Sequence, residues 1–229
     1  MGSSCVTAVL LVLAAFGSLG NGYNFDLRHL DAQLQDYDKR IRPNYGGEPV
    51  QVGITCHVSS WNWDGKYLQA TFYLRQMYDD PRLAAGEEIP LDTTLSGEFN
   101  EIWTPDLFMA NSVEPLTIFP GEKFTRITPK GQIHISRRVS TKTPCFMNAE
   151  SNSTNCEIKM ESYGFSLSDL VFKWAKEDSS ISIETDYLPS TKPLVAHVSE
   201  RTTTTSTGAY SVLVLGLEFD NGVVSTFVS

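Results

Sequence analysis

The chain of 229 residues is long enough for one large domain or two small ones. Apolar residues make up 41% and charged residues 20%, a globular balance and not a disordered one. With 27 acidic and 18 basic residues the formal charge is −9, which disfavours the nucleic-acid backbone and anionic bilayers as partners.

Val6 to Phe16 is the one long apolar run, and it falls short of the ~20 residues a spanning helix needs. Small residues follow it, among them Gly17, Gly20 and Gly22. Residues 1–22 therefore read as a secretory signal peptide without a basic n-region, with a buried N-terminal strand as the alternative. Cleavage there leaves about 207 residues, organised as one extracellular domain over 23–229. No later stretch is apolar enough to span.

Leu27, Leu30, Leu34, Tyr37 and Ile41 recur at three- and four-residue steps, which predicts an amphipathic helix from about Phe25 to Asp38 with Asp26 as N-cap. Pro43 and Gly46-Gly47 close it off. Strands dominate afterwards. Val50, Val52, Ile54, Cys56 and Val58 alternate strictly, as do Leu68, Ala70, Phe72 and Leu74. Gln69, Thr71, Tyr73 and Arg75 then share the opposite face, and Trp61 to Gly65 reads as the turn between the two strands. Further strands are expected at Phe124–Thr128, Gln132–Ser140, Glu157–Tyr163, Ser180–Thr185, Leu194–Glu200 and Ala209–Phe219. Short strands at such spacing point to an all-β sandwich. Thr202 to Thr205 is a low-complexity strand end or hairpin tip.

Once the signal is removed, Cys56, Cys145 and Cys156 remain. The segment between the last two is polar and turn-rich, and a disulfide closing it would remove roughly 3 kcal/mol of unfolded-chain entropy. The sequon Asn152-Ser153-Thr154 lies inside that loop and offers a glycosylation site at Asn152. Cys56, left over in an apolar-alternating run, reads as a buried thiol, with an intermolecular bridge as the sharper alternative. The four histidines have no metal-ligand spacing, no cofactor motif occurs, and no nucleophile–base pattern suggests an enzyme.

Six segments go beyond periodicity. They are Tyr45-Gly46-Gly47-Glu48-Pro49-Val50, Arg75-Gln76 through Asp79-Asp80-Pro81-Arg82-Leu83, Trp103-Thr104-Pro105-Asp106, Cys145-Phe146-Met147-Asn148 with Cys156, Glu161-Ser162-Tyr163-Gly164-Phe165 followed by Trp174, and Ser206-Thr207-Gly208-Ala209-Tyr210. In order and spacing they resemble the extracellular ligand-binding domain of Cys-loop (pentameric) neurotransmitter-gated channels, nearest to the anion-channel branch and its type A GABA receptor β subunits. The resemblance runs from about Asp38 to Phe219. It implies a ten-stranded immunoglobulin-like β-sandwich behind a short N-terminal helix. It also implies a pentameric ring of homologous subunits, with ligand held between neighbours.

Under that resemblance the principal face of the ligand site comprises Phe108, Glu161, Ser162, Tyr163, Phe165, Thr207 and Tyr210. A carboxylate and aromatic rings there suit an amine. The complementary face comprises Tyr73, Arg75, His134 and Ser136, where a guanidinium suits a carboxylate. Taken singly, Arg75 reads as a solvated strand residue and Tyr163 and Phe108 as packing; only their joint occurrence at family positions marks a site. The implied ligand is a zwitterion such as GABA, glycine or glutamate, with a biogenic amine as the less well matched class.

The chain also departs from the family pattern. Thr205 stands where close relatives carry an aromatic residue, Tyr78 stands where Trp is usual, and the adjacent cysteines of acetylcholine-binding subunits are absent. The disulfide loop holds ten intervening residues, fewer than in channels, and lacks their Phe-Pro-x-Asp segment. Asp220-Asn221-Gly222 replaces the basic residues that precede the first membrane helix, and the chain stops at Ser229. These departures favour a secreted, channel-less binding protein, similar in role to acetylcholine-binding proteins. The alternatives are the extracellular part of a chloride channel whose membrane half lies outside this chain, and a structural sandwich that has lost its ligand.

Overall fold

The computed structural model describes residues 30–85, 95–148, 150, 152–175, 180–184 and 193–220; the expected signal peptide and residues 25–29 of the expected helix, with the expected N-cap Asp26, lie outside them. In chain order the strands are β1 (Val50–Trp63), β2 (Tyr67–Asp79), β3 (Leu95–Gly97), β4 (Leu107–Met109), β5 (Thr117–Ile127), β6 (Gln132–Asn148), β7 (Ser153–Ser162), β8 (Leu170–Trp174), β9 (Ile181–Ile183), β10 (Pro193–Thr205) and β11 (Gly208–Asp220). The expected all-β sandwich forms. Its eleven strands among the described residues include three of only three residues each, β3, β4 and β9.

Two sheets make the sandwich. One runs β3-β5-β6-β2-β1, with β8 and β9 added in parallel to β1. The other runs β10-β11-β7-β4. β6 belongs to both. Gln132 to Pro144 pairs with β2, and Cys145 to Asn148 then pairs with β7. Cys145 and Cys156 stand opposite each other in that last pairing and form the disulfide.

One buried core fills the space between the sheets, because each strand sends alternate apolar side chains inward. Phe72 and Leu68 of β2 meet Ile158 and Met160 of β7 and Leu213, Leu215 and Leu217 of β11 in that core. Trp63 stacks on Phe219 with ring centroids 4.8 Å apart, joining β1 to β11.

Two sequence expectations need correction. The strand at Val50 does not turn at Trp61. A register shift between Val58 and Ser60 leaves Ser59 as an extra residue, its hydroxyl donating to the Thr71 carbonyl at 3.1 Å. Inward positions then fall on Trp61 and Trp63, both buried, and β1 continues to Trp63. The helix also ends sooner than expected. Residues 30–35 are helical and the chain turns at 36. Leu30 and Leu34 face the core, but Tyr37 leaves the helix for polar partners and Ile41 is exposed.

Those partners centre on Asp80, which has no exposed surface. Its carboxylate accepts from the Tyr37 hydroxyl at 2.7 Å and from the Arg82 Nε and Nη2 at 2.8 and 2.6 Å. It also accepts from the Arg82 backbone N–H at 3.1 Å, capping the 3-10 turn Pro81–Leu83. The Tyr37 oxygen accepts in turn from the Trp103 N–H at 2.9 Å. Burial first, then the bond to Asp80, pushes the Tyr37 hydroxyl above its ordinary pKa. Tyr78, on the other side, donates its hydroxyl to the Trp103 carbonyl. The Asp80 N–H donates to the carbonyl of Gly131 at 2.8 Å.

Gly131 has φ 77°, and a Cβ there would lie 2.4 Å from the Asp80 carbonyl oxygen. Gly131→Ala should therefore lose about 2–4 kcal/mol in urea unfolding, since left-handed backbone and a backbone clash add; a loss below about 0.5 kcal/mol would contradict the close approach.

Cys56 is the one free cysteine among the described residues and is buried, as a structural thiol. Burial pushes it up to about 12, with the Arg75 charge opposing. Native protein at pH 8 should resist alkylation at Cys56 until denaturant is added. Rapid labelling of the folded protein would argue for an accessible thiol.

Candidate functional site

The Trp103-Thr104-Pro105-Asp106 segment leads into β4, which pairs with the end of β7: Leu107 faces Ser162, Phe108 faces Glu161 and Met109 faces Met160. Asp106 fixes the loop that follows. The Ser162 hydroxyl donates to its Oδ1 at 2.6 Å and the Gly164 N–H to its Oδ2 at 2.7 Å. The Ser162 oxygen accepts from the Phe165 N–H at 2.8 Å. With its backbone held on both sides, Tyr163 stands 80% exposed and meets Phe108 edge to face at 5.6 Å.

Glu161 lies on the outward face of β7, half-buried, because Met160 and Ser162 take the inward positions. The Thr203 hydroxyl donates to its Oε1 at 3.4 Å. Thr203 pairs with Tyr210 across the β10–β11 hairpin, whose tip is Ser206-Thr207. The Thr207 hydroxyl lies 2.9 Å from both the Thr205 hydroxyl and the Tyr210 hydroxyl. Phe108, Glu161, Tyr163, Thr207 and Tyr210 thus gather at one end of the second sheet. Ser162 is 3% exposed, and its side chain turns to Asp106, a positioning contact. Phe165 packs edge-on against buried Trp103 at 5.8 Å and supports the loop from behind.

The complementary residues lie on the first sheet. Tyr73 and Arg75 share the outward face of β2; Arg75 stands opposite Ser136, and Met77 opposite His134. His57 of β1 stacks on Tyr73 at 6.1 Å, and Phe124 of β5 stands opposite Ser136, 43% exposed. Partial burial first, and then the Arg126 charge, lower the His134 imidazole below its ordinary pKa, with Asp79 opposing. Arg138, opposite Tyr73, is neutralised by Glu122 at 3.2 Å. Arg75 has no such partner: it is exposed and makes no ion pair among the described residues. Glu161 likewise meets no cation among them. One chain does not bring Arg75 and Glu161 together, because they belong to different sheets.

Sequence reasoning missed Thr203 and the tethering role of Asp106. Counting back from the hairpin tip, where Thr205 faces Gly208, places Thr203 opposite Tyr210 and so beside the site. Asn152, the sequon residue, is exposed with φ 50°.

Replacing Asp106 by Ala leaves the Ser162 hydroxyl and the Gly164 N–H without their acceptor. Urea unfolding should register a loss of about 1–3 kcal/mol. No loss would mean the loop stands without the carboxylate.

The model of the neurotransmitter-gated ion-channel ligand binding domain matches residues 26–219. The gamma-aminobutyric acid receptor subunit beta of Caenorhabditis elegans is 32% identical over 201 residues, covering 83% of this chain and 36% of the relative. The subunit beta-like protein of Drosophila melanogaster is 31% identical over 210 residues, covering 83% and 42%. The subunit beta-4 of Gallus gallus is 29% identical over 204 residues, covering 85% and 42%. The chain therefore spans less than half the length of these relatives. With the matched model covering the sandwich, the disulfide hairpin and both groups of site residues, this chain belongs to the neurotransmitter-gated ion-channel ligand-binding domain family.

Proposed function

We propose that this domain binds a small zwitterionic amino acid, of the class of GABA, glycine or glutamate, between neighbouring copies of itself in a pentameric ring. The observation that carries the reading is a pair of unmatched charges. Arg75 and Glu161 lie on different sheets, and each lacks an opposite charge among the described residues. A head-to-tail ring sets one copy's second sheet against the next copy's first sheet, so that the site is completed between them. Arg75 takes the ligand carboxylate through its planar fork, with Ser136 and Tyr73 beside it. Glu161 takes the ammonium, and Phe108, Tyr163 and Tyr210 offer their faces to it. Thr207 lies on the hairpin that closes over the ligand, and His134 borders the carboxylate end. Ser162 and Phe165 hold the loop.

For the whole protein, the favoured setting is a secreted, channel-less binding protein, glycosylated at Asn152. Its support is the polar disulfide loop, where Glu150 and Asn152 are exposed. A second setting is the extracellular half of a ligand-gated chloride channel. It is favoured by Phe146 and Met147, which are 65% and 73% exposed beside the disulfide and suit a covering surface.

Calorimetric titration of the purified protein with GABA, glycine, glutamate and a biogenic amine tests the ligand class. An amino acid should bind best, and Arg75→Ala and Glu161→Gln should each weaken it at least about tenfold, as expected for charge-assisted bonds. Absence of binding to all four, or unchanged affinity in Arg75→Ala, refutes the arrangement. Recovery of the native protein in conditioned medium supports the secreted setting, and its recovery only with membranes supports the channel setting.

A further inference from the structure

The inner face of the first sheet carries polar side chains in two adjacent rows beside the apolar core. Lys123 of β5 stands opposite Arg137 of β6, which stands opposite Leu74 of β2. In the next row Thr125 stands opposite Ile135, which stands opposite Gln76. Thr125 and Gln76 are 0% and 2% exposed. The Thr125 hydroxyl, the Gln76 side-chain nitrogen and the Arg137 Nε have no hydrogen-bond partner among the described residues. Such groups lose solvation without compensation, and a guanidinium loses most. Burial lowers Arg137 below its ordinary pKa, and no carboxylate offsets the shift.

Beside these rows opens a cavity of about 440 Å³ whose lining includes Phe99, Trp103, Phe165, Lys39 and Lys123. Lys39 donates to the Asn100 backbone carbonyl at 3.0 Å and Lys123 to the Asn100 side-chain oxygen at 3.1 Å. Two ammonium groups therefore converge on one neutral residue. Among the described residues neither lysine forms an ion pair, and neither does Arg137. Arg40, also on the rim, is matched by Asp38 at 2.6 Å.

We infer that this cavity is a second ligand site, separate from the subunit-interface site, and that it takes a small aromatic carboxylate. Lys39 and Lys123 hold the carboxylate, with the Arg137 charge behind them, and Phe99, Trp103 and Phe165 receive the ring. The volume is within the range of small-molecule sites, and an apolar wall with a few convergent cations is their usual make-up. Phe165 links the two sites: it lines this cavity and follows Tyr163 by two residues, on the loop that Asp106 holds.

Benzoate is the probe, read by calorimetry and by tryptophan emission, with benzamide testing the charge and acetate testing the ring. Benzoate should saturate the wild-type protein, and both analogues should bind at least about tenfold more weakly. Lys39→Met combined with Lys123→Met should weaken benzoate by a similar factor at an unchanged Tm. Arg137→Met should raise Tm, by removing a partly buried charge that has no ion pair among the described residues, while weakening benzoate. Arg75→Ala should leave benzoate binding intact. The proposal fails if benzoate does not saturate, if benzamide matches it, or if the lysine variant binds it normally. It also fails if Arg75→Ala abolishes binding, which would assign benzoate to the interface site. Failure of GABA or glycine to bind would leave these outcomes unaffected.

Discussion

The Asp80 carboxylate is the constraint on which the rest of the molecule depends. A fully buried carboxylate is tolerated only when its oxygens are matched, and here a guanidinium, a tyrosine hydroxyl and a backbone N–H match them. Asp80 joins three parts of the chain, two through its carboxylate and the third through its backbone N–H. Arg82 follows it along the 3-10 turn, Tyr37 comes from the segment after the helix, and Gly131 approaches from the β5–β6 turn. Through Tyr37 on one side and Tyr78 on the other, the Trp103 peptide has both its N–H and its carbonyl satisfied. Trp103 begins the segment that ends in Asp106, and Asp106 holds the loop that presents Tyr163. The position of the exposed ring at the site is thus inherited, step by step, from a buried charge.

The outward surfaces of the two sheets differ in how their charges are balanced. Arg138 is matched by Glu122, Lys142 by Glu114, and Glu157 by both Arg201 and Lys159. Burial raises the Glu157 pKa, but the Arg201 bond and charge outweigh it and hold the carboxyl below its ordinary range. Exposed pairs of this kind contribute little stability. Arg75 and Glu161 are among the charges that form no ion pair among the described residues. The Thr205, Thr207 and Tyr210 hydroxyls form a chain of contacts at the hairpin tip. The Thr205 hydroxyl also lies within reach of the Gly208 carbonyl, at 3.3 Å.

Much of this was legible in the sequence because alternation fixes which face a side chain takes. Val50 to Val58 and Leu68 to Leu74 are buried on the side the pattern indicates, and Tyr73 and Arg75 point outward together. Cys145 and Cys156 were readable from the loop between them and form the bridge. Pattern failed where geometry changed parity. Ser59 adds one residue to β1, so Trp61 and Trp63 leave the period-2 register and resemble a turn. Tyr37 fits the helical period but is claimed by Asp80, a partner 43 residues away in sequence. Within the site, the aromatic residues and Glu161 were legible through family motifs. Thr203 was not, because its role depends on a cross-strand register that composition hides. Lys123, Arg137, Gln76 and Thr125 were equally silent, since each looks ordinary alone and only the pairing of three strands makes them neighbours.

β6 carries a further mechanical consequence. A single unbroken strand bears Ser136 on one sheet and Cys145 on the other. They are nine residue steps apart, or about 30 Å of extended chain. Slippage by one residue would turn the strand's whole apolar set outward, so register is locked along its length. The disulfide clamps the far arm of this strand to β7. Ser136 and the exposed Phe146 and Met147 end of the domain are thus carried by one continuous strand.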